Sequence, residues 1–231
     1  MREVVRLLLV GFLLVLHPGP AWAGDLFDLQ ELVDEARLTF ARFVGHPDMT
    51  WLRDRVREAR AVFIAPAFVK VGFVAGGSLG KGVVLVRDEA TGEWSDPAFY
   101  TITGASFGLQ IGARRSEVVA LIGAHKGIEA LFGARFVLSA TTNLAVGPVG
   151  GGVGGSATPT LSADVLSFSR SDGAFAGLAL GGLVLLPDDE ANTLYYGRSI
   201  KAADILTDSA GIHHWYSARL RAALNRAQKG M

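Results

Sequence analysis

A short glycine-rich motif is the first place where this chain could bind a phosphate group. Gly80, Lys81 and Gly82 have the spacing that ends a Gly-rich phosphate-binding loop. However, Ala75 stands where the loop needs its first glycine, and Gly82 replaces the Ser or Thr that would hold magnesium. The motif therefore argues against nucleotide binding, and it leaves Lys81 either to meet a single phosphate or to face solvent.

A second motif could supply a nucleophile. Residues 104–108 read GASFG, which matches the G-x-S-x-G pattern around the serine of many hydrolases. That serine needs a sharp turn between a strand and a helix, whereas residues 107–112 alternate bulky side chains with small or polar ones and predict a strand. A hydrolase that uses Ser106 stays open as an alternative. Its candidate partners are Asp164, Asp172, Asp188, His125, His213 and His214.

Histidines and carboxylates do not form a metal-binding pattern. His213 and His214 are adjacent, and neighbours on a helix point about 100° apart, so they chelate poorly. We expect no metal, no cofactor and no catalytic residue.

The N-terminus predicts a leader peptide. Arg2 and Arg6 precede a short apolar run, and the Ala-Trp-Ala sequence ending at Ala23 supplies the small residues of a cleavage site. Cleavage after Ala23 would leave one domain at residues 24–231 in the periplasm or outside the cell.

The chain has no cysteine, so the fold must depend on its core. After removal of the leader the formal charge is close to zero, which argues against a nucleic-acid partner.

Two N-terminal helices are predicted before any strand. Residues 25–44 form an amphipathic pattern that either packs on the core or lies on lipid, and the acidic residues of its polar face favour packing. A second helix is predicted at residues 49–61. There Arg53, Arg57 and Arg60 share one face, which could grip a phosphate or pair with the neighbouring Asp54 and Glu58.

The rest of the chain predicts a sheet. From Ala61 onwards, short runs of Val, Ile and Phe alternate with glycines, which permit bulges and close backbone approach. We predict an α+β fold: a curved, mostly antiparallel, glycine-rich β-sheet that is barrel-like. Helices near residues 28–61 and 187–228 cover it.

Nine stretches along the chain carry a further signal because of their order: ARAVFIAP at 59–66, KVGF at 70–73, GKGV at 80–83, WSDPAFY at 94–100, SFGLQIG at 106–112, AVGPVG at 145–150, SFSR at 167–170, YYG at 195–197 and ADIL at 203–206. In consistent order, they resemble the SYLF domain family, a lipid-binding module of fungi, animals, plants and exported bacterial proteins. The resemblance covers roughly residues 29–206 and leaves a helical tail at 207–231. It implies an exported bacterial member that binds phospholipids, with phosphoinositides as the usual eukaryotic ligands, and it implies no catalysis.

Because no single motif defines the ligand contacts of that family, candidate residues rest on their chemistry. Basic side chains inside the matching segments are the candidates for headgroup phosphate: Arg60, Lys70, Lys81 and Arg170. Aromatic side chains of the two helices are the candidates for acyl chains: Phe40, Phe43 and Trp51. The expected partner is a phospholipid or a membrane surface. The alternatives are hydrolysis at Ser106 and an envelope scaffold that binds proteins.

Overall fold

The computed structural model describes residues 22–72, 75–107, 112–138, 144–146, 164–171, 174–177, 183–207 and 214–230. Residues 1–21, which make up nearly all of the predicted leader, lie outside this range, and so do His213 and the 108–111 part of the predicted strand.

Nine strands form one sheet. They are β1 (Ala61–Gly72), β2 (Ala75–Val86), β3 (Ala98–Phe107), β4 (Gly112–Ile122), β5 (Phe136–Leu138), β6 (Leu144–Val146), β7 (Val165–Ser171), β8 (Ala174–Gly177) and β9 (Leu183–Pro187). Their order is β5-β9-β3-β2-β1-β4-β7-β6, and β8 pairs with β7. Every pairing is antiparallel except β6 with β7. The predicted α+β class and mostly antiparallel sheet are confirmed, and in the described residues the sheet stays open between β5 and β6.

Six α-helices accompany the sheet within the described ranges. They are α1 (Trp22–Gly45), α2 (Thr50–Val56), α3 (His125–Leu131), α4 (Asp189–Tyr196), α5 (Ala202–Thr207) and α6 (Ala218–Lys229), with 3-10 turns at Pro47–Met49 and Trp215–Ser217. The first predicted helix is confirmed, whereas the second is shorter than predicted because the chain turns at Arg57 and enters β1 at Ala61. Of the helices in this part of the chain, none is long and apolar enough to cross a membrane.

The core has two layers, one on each face of the sheet. Phe63, Phe68 and Tyr100 lie on the inner face and pack with α3 and α5. Val62 and Ile64 lie on the outer face, beneath α1, α2, α4 and α6. Alternate residues of a strand point to opposite faces, so the two layers come from the same strands.

A bulge at Pro66 divides β1. Proline has no backbone N–H to donate to a ladder. The register of β1 shifts between Ile64 and Ala67 against β2, and between Ala65 and Phe68 against β4. Beyond the bulge, Phe68 returns to the inner core, which places Val69 and Val71 on the outer face.

Candidate functional site

Beyond the bulge, the outer face of the sheet is exposed. Residues paired directly across a ladder share a face, and the register defines one continuous row across six strands, roughly 24 Å long. Its members are Val137, Val184, Thr103, Leu79, Val69 and Arg115. Val71 lies two residues beyond Val69 along β1, on the same face, opposite Gly77 and Ala113. We call this surface the bare face.

Most of the exposed large apolar side chains in the described residues lie on the bare face. Seven such side chains are exposed, and four of them belong to it: Val69 at 38%, Val71 at 50%, Leu79 at 59% and Val137 at 40%. Soluble proteins expose single apolar residues routinely, but a contiguous group of them marks an interaction surface. The bare face therefore has the composition of a docking surface.

Two cations flank these apolar side chains. Lys81 is exposed on the same face, between Ala67 and Thr101 in the register. Arg115 is exposed at the β4 end of the row. Among the described residues of this face, Glu117 is the single acidic one, and arginines hold it. The combination of aliphatic side chains and cations suits an apolar, negatively charged partner.

Next to the bare face lies a charged cavity of about 370 Å³, which we call the arginine pocket. It is lined by Glu35, Arg42, Pro66, Arg115, Ser116, Glu117 and Arg170. Helix α1 contributes the first two, the β1 bulge contributes the proline, and β4 and β7 contribute the rest. Arg115 belongs to both the pocket and the bare face, so the two are continuous.

Glu117 sits at the centre of this pocket. Its Oε2 accepts a hydrogen bond from Nη1 of Arg170 at 3.0 Å. Its Oε1 accepts from Arg42 and, at 3.2 Å, from the hydroxyl of Thr39. Arg42 also donates to that hydroxyl at 3.0 Å. Burial by itself raises the pKa of Glu117, but the hydrogen bonds and charges of Arg42 and Arg170 outweigh it and lower the pKa below its ordinary value.

The remaining charges of the pocket, those of Arg115 and Glu35, have no partner in the part of the chain that the structure describes. Neither side chain makes a hydrogen bond or ion pair with a described neighbour. Three arginines and two glutamates give the pocket a formal charge of +1. The pocket can therefore accept an anion without removal of Glu117.

The predicted phosphate-binding residues lie in four different places. Arg170 lies in the arginine pocket and Lys81 lies on the bare face. Lys70 lies on the inner face, its ammonium 5.4 Å from the ring centroid of Phe68, and burial lowers its pKa. Arg60 precedes β1, roughly 30 Å along the strand from Lys70, and pairs with Glu89. One site cannot contain all four residues.

The predicted acyl-chain residues do not form a surface. Phe40 and Phe43 belong to α1 and are fully buried, on the apolar side by which this helix packs on the sheet. The prediction that they meet lipid is therefore corrected. Trp51 is half-buried in α2, with the guanidinium of Arg55 lying 5.3 Å from its ring centroid.

Both glycine-rich motifs have structural explanations. Gly80 and Gly82 lie opposite the bulged part of β1, where a Cβ at Gly80 would lie 2.6 Å from the backbone oxygen of Ala67. These glycines allow close strand packing and do not form a phosphate loop. Ser106 lies inside β3, paired with Gly76, and the next described element is strand β4. Among the described residues, a strand and not a helix follows β3, unlike the strand–turn–helix geometry of a hydrolase nucleophile.

The histidine region is a structural contact. His214 donates its backbone N–H to Oδ2 of the buried Asp96 at 3.0 Å, and its ring packs 4.4 Å from that of Tyr195. Burial lowers the pKa of His214, and the charge of Asp96 opposes that change. Across the residues that the structure describes, no group of three possible metal ligands occurs.

Sequence reasoning missed Arg42, Arg115 and Glu117. Arg42 is 75 residues from Glu117 in the chain, and only the packing of α1 on the sheet brings it to the strand that carries Arg115 and Glu117. The sequence carries only a weak signal for the exposed aliphatic residues. Val69 and Val71 alternate with other residues, which predicts that they share one face of a strand. Whether that face, which also carries Leu79, is exposed depends on where the helices end.

Comparison with known proteins agrees with the resemblance. Residues 103–227, more than half of the chain, match the family described as "Ysc84: Las17-binding protein actin regulator". "SH3 domain-containing YSC84-like protein 1" is similar to this chain in Rattus norvegicus and in Homo sapiens, at 34% identity over 139 residues. Each alignment covers 60% of this chain, and 41% and 40% of the relatives.

A fungal relative extends the similarity. "LAS seventeen-binding protein 3" of Saccharomyces cerevisiae is 28% identical over 158 residues, which cover 67% of this chain and 34% of the relative. The chain thus spans about two fifths or less of the length of these relatives. The extent of the family match shows that the chain belongs to the Ysc84 family, whose domain is also called SYLF.

Proposed function

We propose that this protein binds anionic phospholipid membranes through the bare face, without catalysis. The observation that carries the proposal is the concentration of exposed aliphatic side chains beside Lys81 and Arg115 on one outer surface of the sheet. The aliphatic groups would enter the boundary of the acyl chains, while the two cations would meet headgroup phosphates. The predicted leader supports a location of this function in the periplasm or outside the cell.

The bare face supports a modest, reversible affinity. Transfer of four half-exposed aliphatic side chains from water contributes about 1 kcal/mol each. Two cations near an anionic surface contribute about 1 kcal/mol each. A total of about 6 kcal/mol corresponds to a dissociation constant on the order of 0.1 mM for accessible lipid. Such contact holds the protein at a membrane surface without a permanent anchor.

A protein-binding scaffold is the competing function, because the printed names of the relatives refer to Las17 binding and actin regulation. Those names describe the relatives, which are longer than this chain. The bare face favours lipid over protein because its rim within the described residues is cationic, and because its polar members are few.

Vesicle flotation tests the proposal. The protein is mixed with vesicles of phosphatidylcholine alone and with vesicles containing phosphatidylglycerol. We expect flotation with the second set, with weaker binding as salt increases. Leu79→Gln should reduce binding about fivefold, because it removes one aliphatic contact. Leu38→Gln is the matched control, since Leu38 is exposed at 44% but lies on α1, outside the bare face.

The test has clear opposing outcomes. Absence of flotation with both vesicle types would overturn the proposal of membrane binding. Equal effects of Leu79→Gln and Leu38→Gln would show that the bare face is not the surface that binds the membrane. If an envelope protein were captured by the wild type and lost with Leu79→Gln, while no lipid bound, the scaffold function would replace it. Equal labelling of wild type and Ser106→Ala by a fluorophosphonate probe, or no labelling, would end the hydrolase alternative.

A further inference from the structure

We propose that the arginine pocket is a binding site for a terminal phosphate group, in which Glu117 holds Arg42 and Arg170 in place and Arg115, which has no partner among the described residues, supplies a further cation. The inference deepens the proposed function by naming the headgroup chemistry, and it rests on that function for its membrane source. The same chemistry could come from a soluble phosphate ester, so the experiment has a soluble arm and a membrane arm.

The first argument is convergence. Arg42 comes from α1, Arg115 from β4 and Arg170 from β7, and all three line one cavity. A guanidinium group has five N–H donors in a planar fork that matches phosphate oxygens. Arg42 uses Nη2 on Glu117 and Thr39, and Arg170 uses Nη1 on Glu117. Between described residues, the other donors of these two groups make no hydrogen bond, so they can serve a ligand.

The second argument is preorganisation. Free arginine side chains lose considerable rotamer entropy when they order around a ligand. Here Glu117, whose side chain is 16% exposed, fixes two of the three arginines before any ligand arrives. Arg115 alone remains to be ordered, so the cost of assembling the site is small.

The third argument is charge. The pocket is formally +1 with Glu35 and Glu117 both ionised, and Arg115 has no counter-ion among the described residues. A terminal phosphate presents three free oxygens and up to two negative charges, whereas a phosphate within a diester presents two oxygens and one charge. Three arginines favour the first. The size of the cavity also suits a small headgroup, because ligand pockets begin at about 300 Å³.

The negative charge of Glu35 should repel a phosphate ligand. A variant without this charge therefore distinguishes phosphate binding from a purely structural role of the pocket. The Glu35 carboxylate lines the cavity, belongs to the intermediate burial class and has no partner among the described residues. Its removal should therefore raise the affinity for phosphate. An ammonium ligand would give the opposite result.

The soluble arm measures binding of inorganic phosphate by isothermal titration calorimetry at pH 7.5 and constant ionic strength. Arg115→Gln should weaken binding about tenfold, because it removes a charge-assisted hydrogen bond. Arg114→Gln is the matched control: it makes the same charge change on the adjacent, exposed residue of β4, which points to the opposite face, and should change affinity less than about twofold. Glu35→Gln should tighten binding about threefold.

The membrane arm compares vesicles that contain equal fractions of phosphatidic acid, a terminal phosphate, or phosphatidylglycerol, a diester. The wild type should prefer phosphatidic acid, and Arg115→Gln should abolish the preference. Leu79→Gln should weaken binding to both vesicles equally and leave phosphate binding unchanged, because Leu79 lies outside the pocket.

These arms separate the two proposals. Phosphate binding without vesicle binding would retain the pocket, assign it a soluble phosphate ester and overturn the membrane function. Vesicle binding without phosphate binding or lipid preference would retain the membrane function and overturn the pocket. Equal effects of Arg114→Gln and Arg115→Gln, or weaker phosphate binding by Glu35→Gln, would also overturn the pocket.

Discussion

The two halves of strand β1 carry similar aliphatic side chains on the outer face of the sheet, but in different surroundings. Before the Pro66 bulge, Val62 and Ile64 on the outer face are fully buried beneath helices. Beyond it, Val69 and Val71 occupy the same face of the same strand and are exposed. On the outer face of β1, side-chain type does not distinguish the two halves; the extent of the covering helices does.

This difference separates stability from function. Aliphatic groups under the helices are removed from water when the chain folds, and they stabilise the fold. Those on the bare face remain in water, contribute little to folding, and increase the risk of association. Their presence is explained if a partner covers them, and the adjacent cations indicate the charge of that partner.

The largest expected effect is on the covered half. Ile64→Ala should lower the free energy of unfolding by about 4 kcal/mol, because it leaves a cavity in a closed core. Val69→Ala, on the same strand and face beyond the bulge, should lower it by less than about 0.5 kcal/mol. Urea denaturation measures both. A similar loss for the two variants would show that something covers the bare face in the free protein.

The second-largest effect concerns α6, one of the helices that cover the outer face of the sheet. Asp96 is 2% exposed and anchors the C-terminal helix: it accepts from the backbone of His214 and from Ser217, and pairs with Arg221 at 3.2 Å. Asp96→Ala should cost about 3 kcal/mol, because it leaves a mostly buried guanidinium without this partner. Binding of an apolar dye should increase as α6 loosens.

A matched control for this variant lies on α2. Asp54 is exposed and has no partner within the described residues, so Asp54→Ala should change stability by less than about 0.5 kcal/mol. If Asp96→Ala were equally mild, α6 would be held by its apolar residues alone.

The third effect concerns two lysines that sequence reasoning treated alike. Lys81 lies on the bare face, and Lys70 lies on the inner face. Lys81→Gln should weaken binding to anionic vesicles about fivefold, through the loss of about 1 kcal/mol of attraction. Lys70→Gln should change it less than about twofold. The reverse order would place the membrane on the inner face.

The elements were predictable because their signals are local. Alternation and β-branched residues predict the strands, and the three- and four-residue spacing of Leu29, Val33, Phe40 and their neighbours predicts α1. The same pattern gave the wrong location for lipid contact, because an amphipathic helix looks alike whether it packs on a sheet or on a membrane. Burial of Phe40 decides between these, and burial depends on distant strands.

The site was less predictable because it depends on register. Arg170 was proposed from its chemistry alone, and its neighbours Glu117 and Arg42 come from segments with no local motif. Strand pairing of Glu117 with Arg170 creates the pocket. The glycines of the GKG motif resemble the end of a phosphate loop, which the sequence already argued against. A side chain at Gly80 or Gly82 would collide with the bulged part of β1, and this steric limit explains both glycines.

The smallest effect is the pH dependence of the boundary between the two halves, where Glu117 lies. Its pKa is lowered in the folded protein, so the carboxylate contributes stability that is fully present above its ordinary value of 4.5 and is lost as pH falls through the folded value. Glu117→Gln should therefore be less stable than wild type at pH 7, by less than about 1 kcal/mol after solvent screening. The difference should shrink as the pH falls from 7 through the folded pKa of Glu117, below which the wild-type side chain is also neutral. Urea denaturation of both proteins across this acidic range measures it; a difference that stays constant as the pH falls would mean that geometry, and not charge, joins Arg42 and Arg170 to this residue.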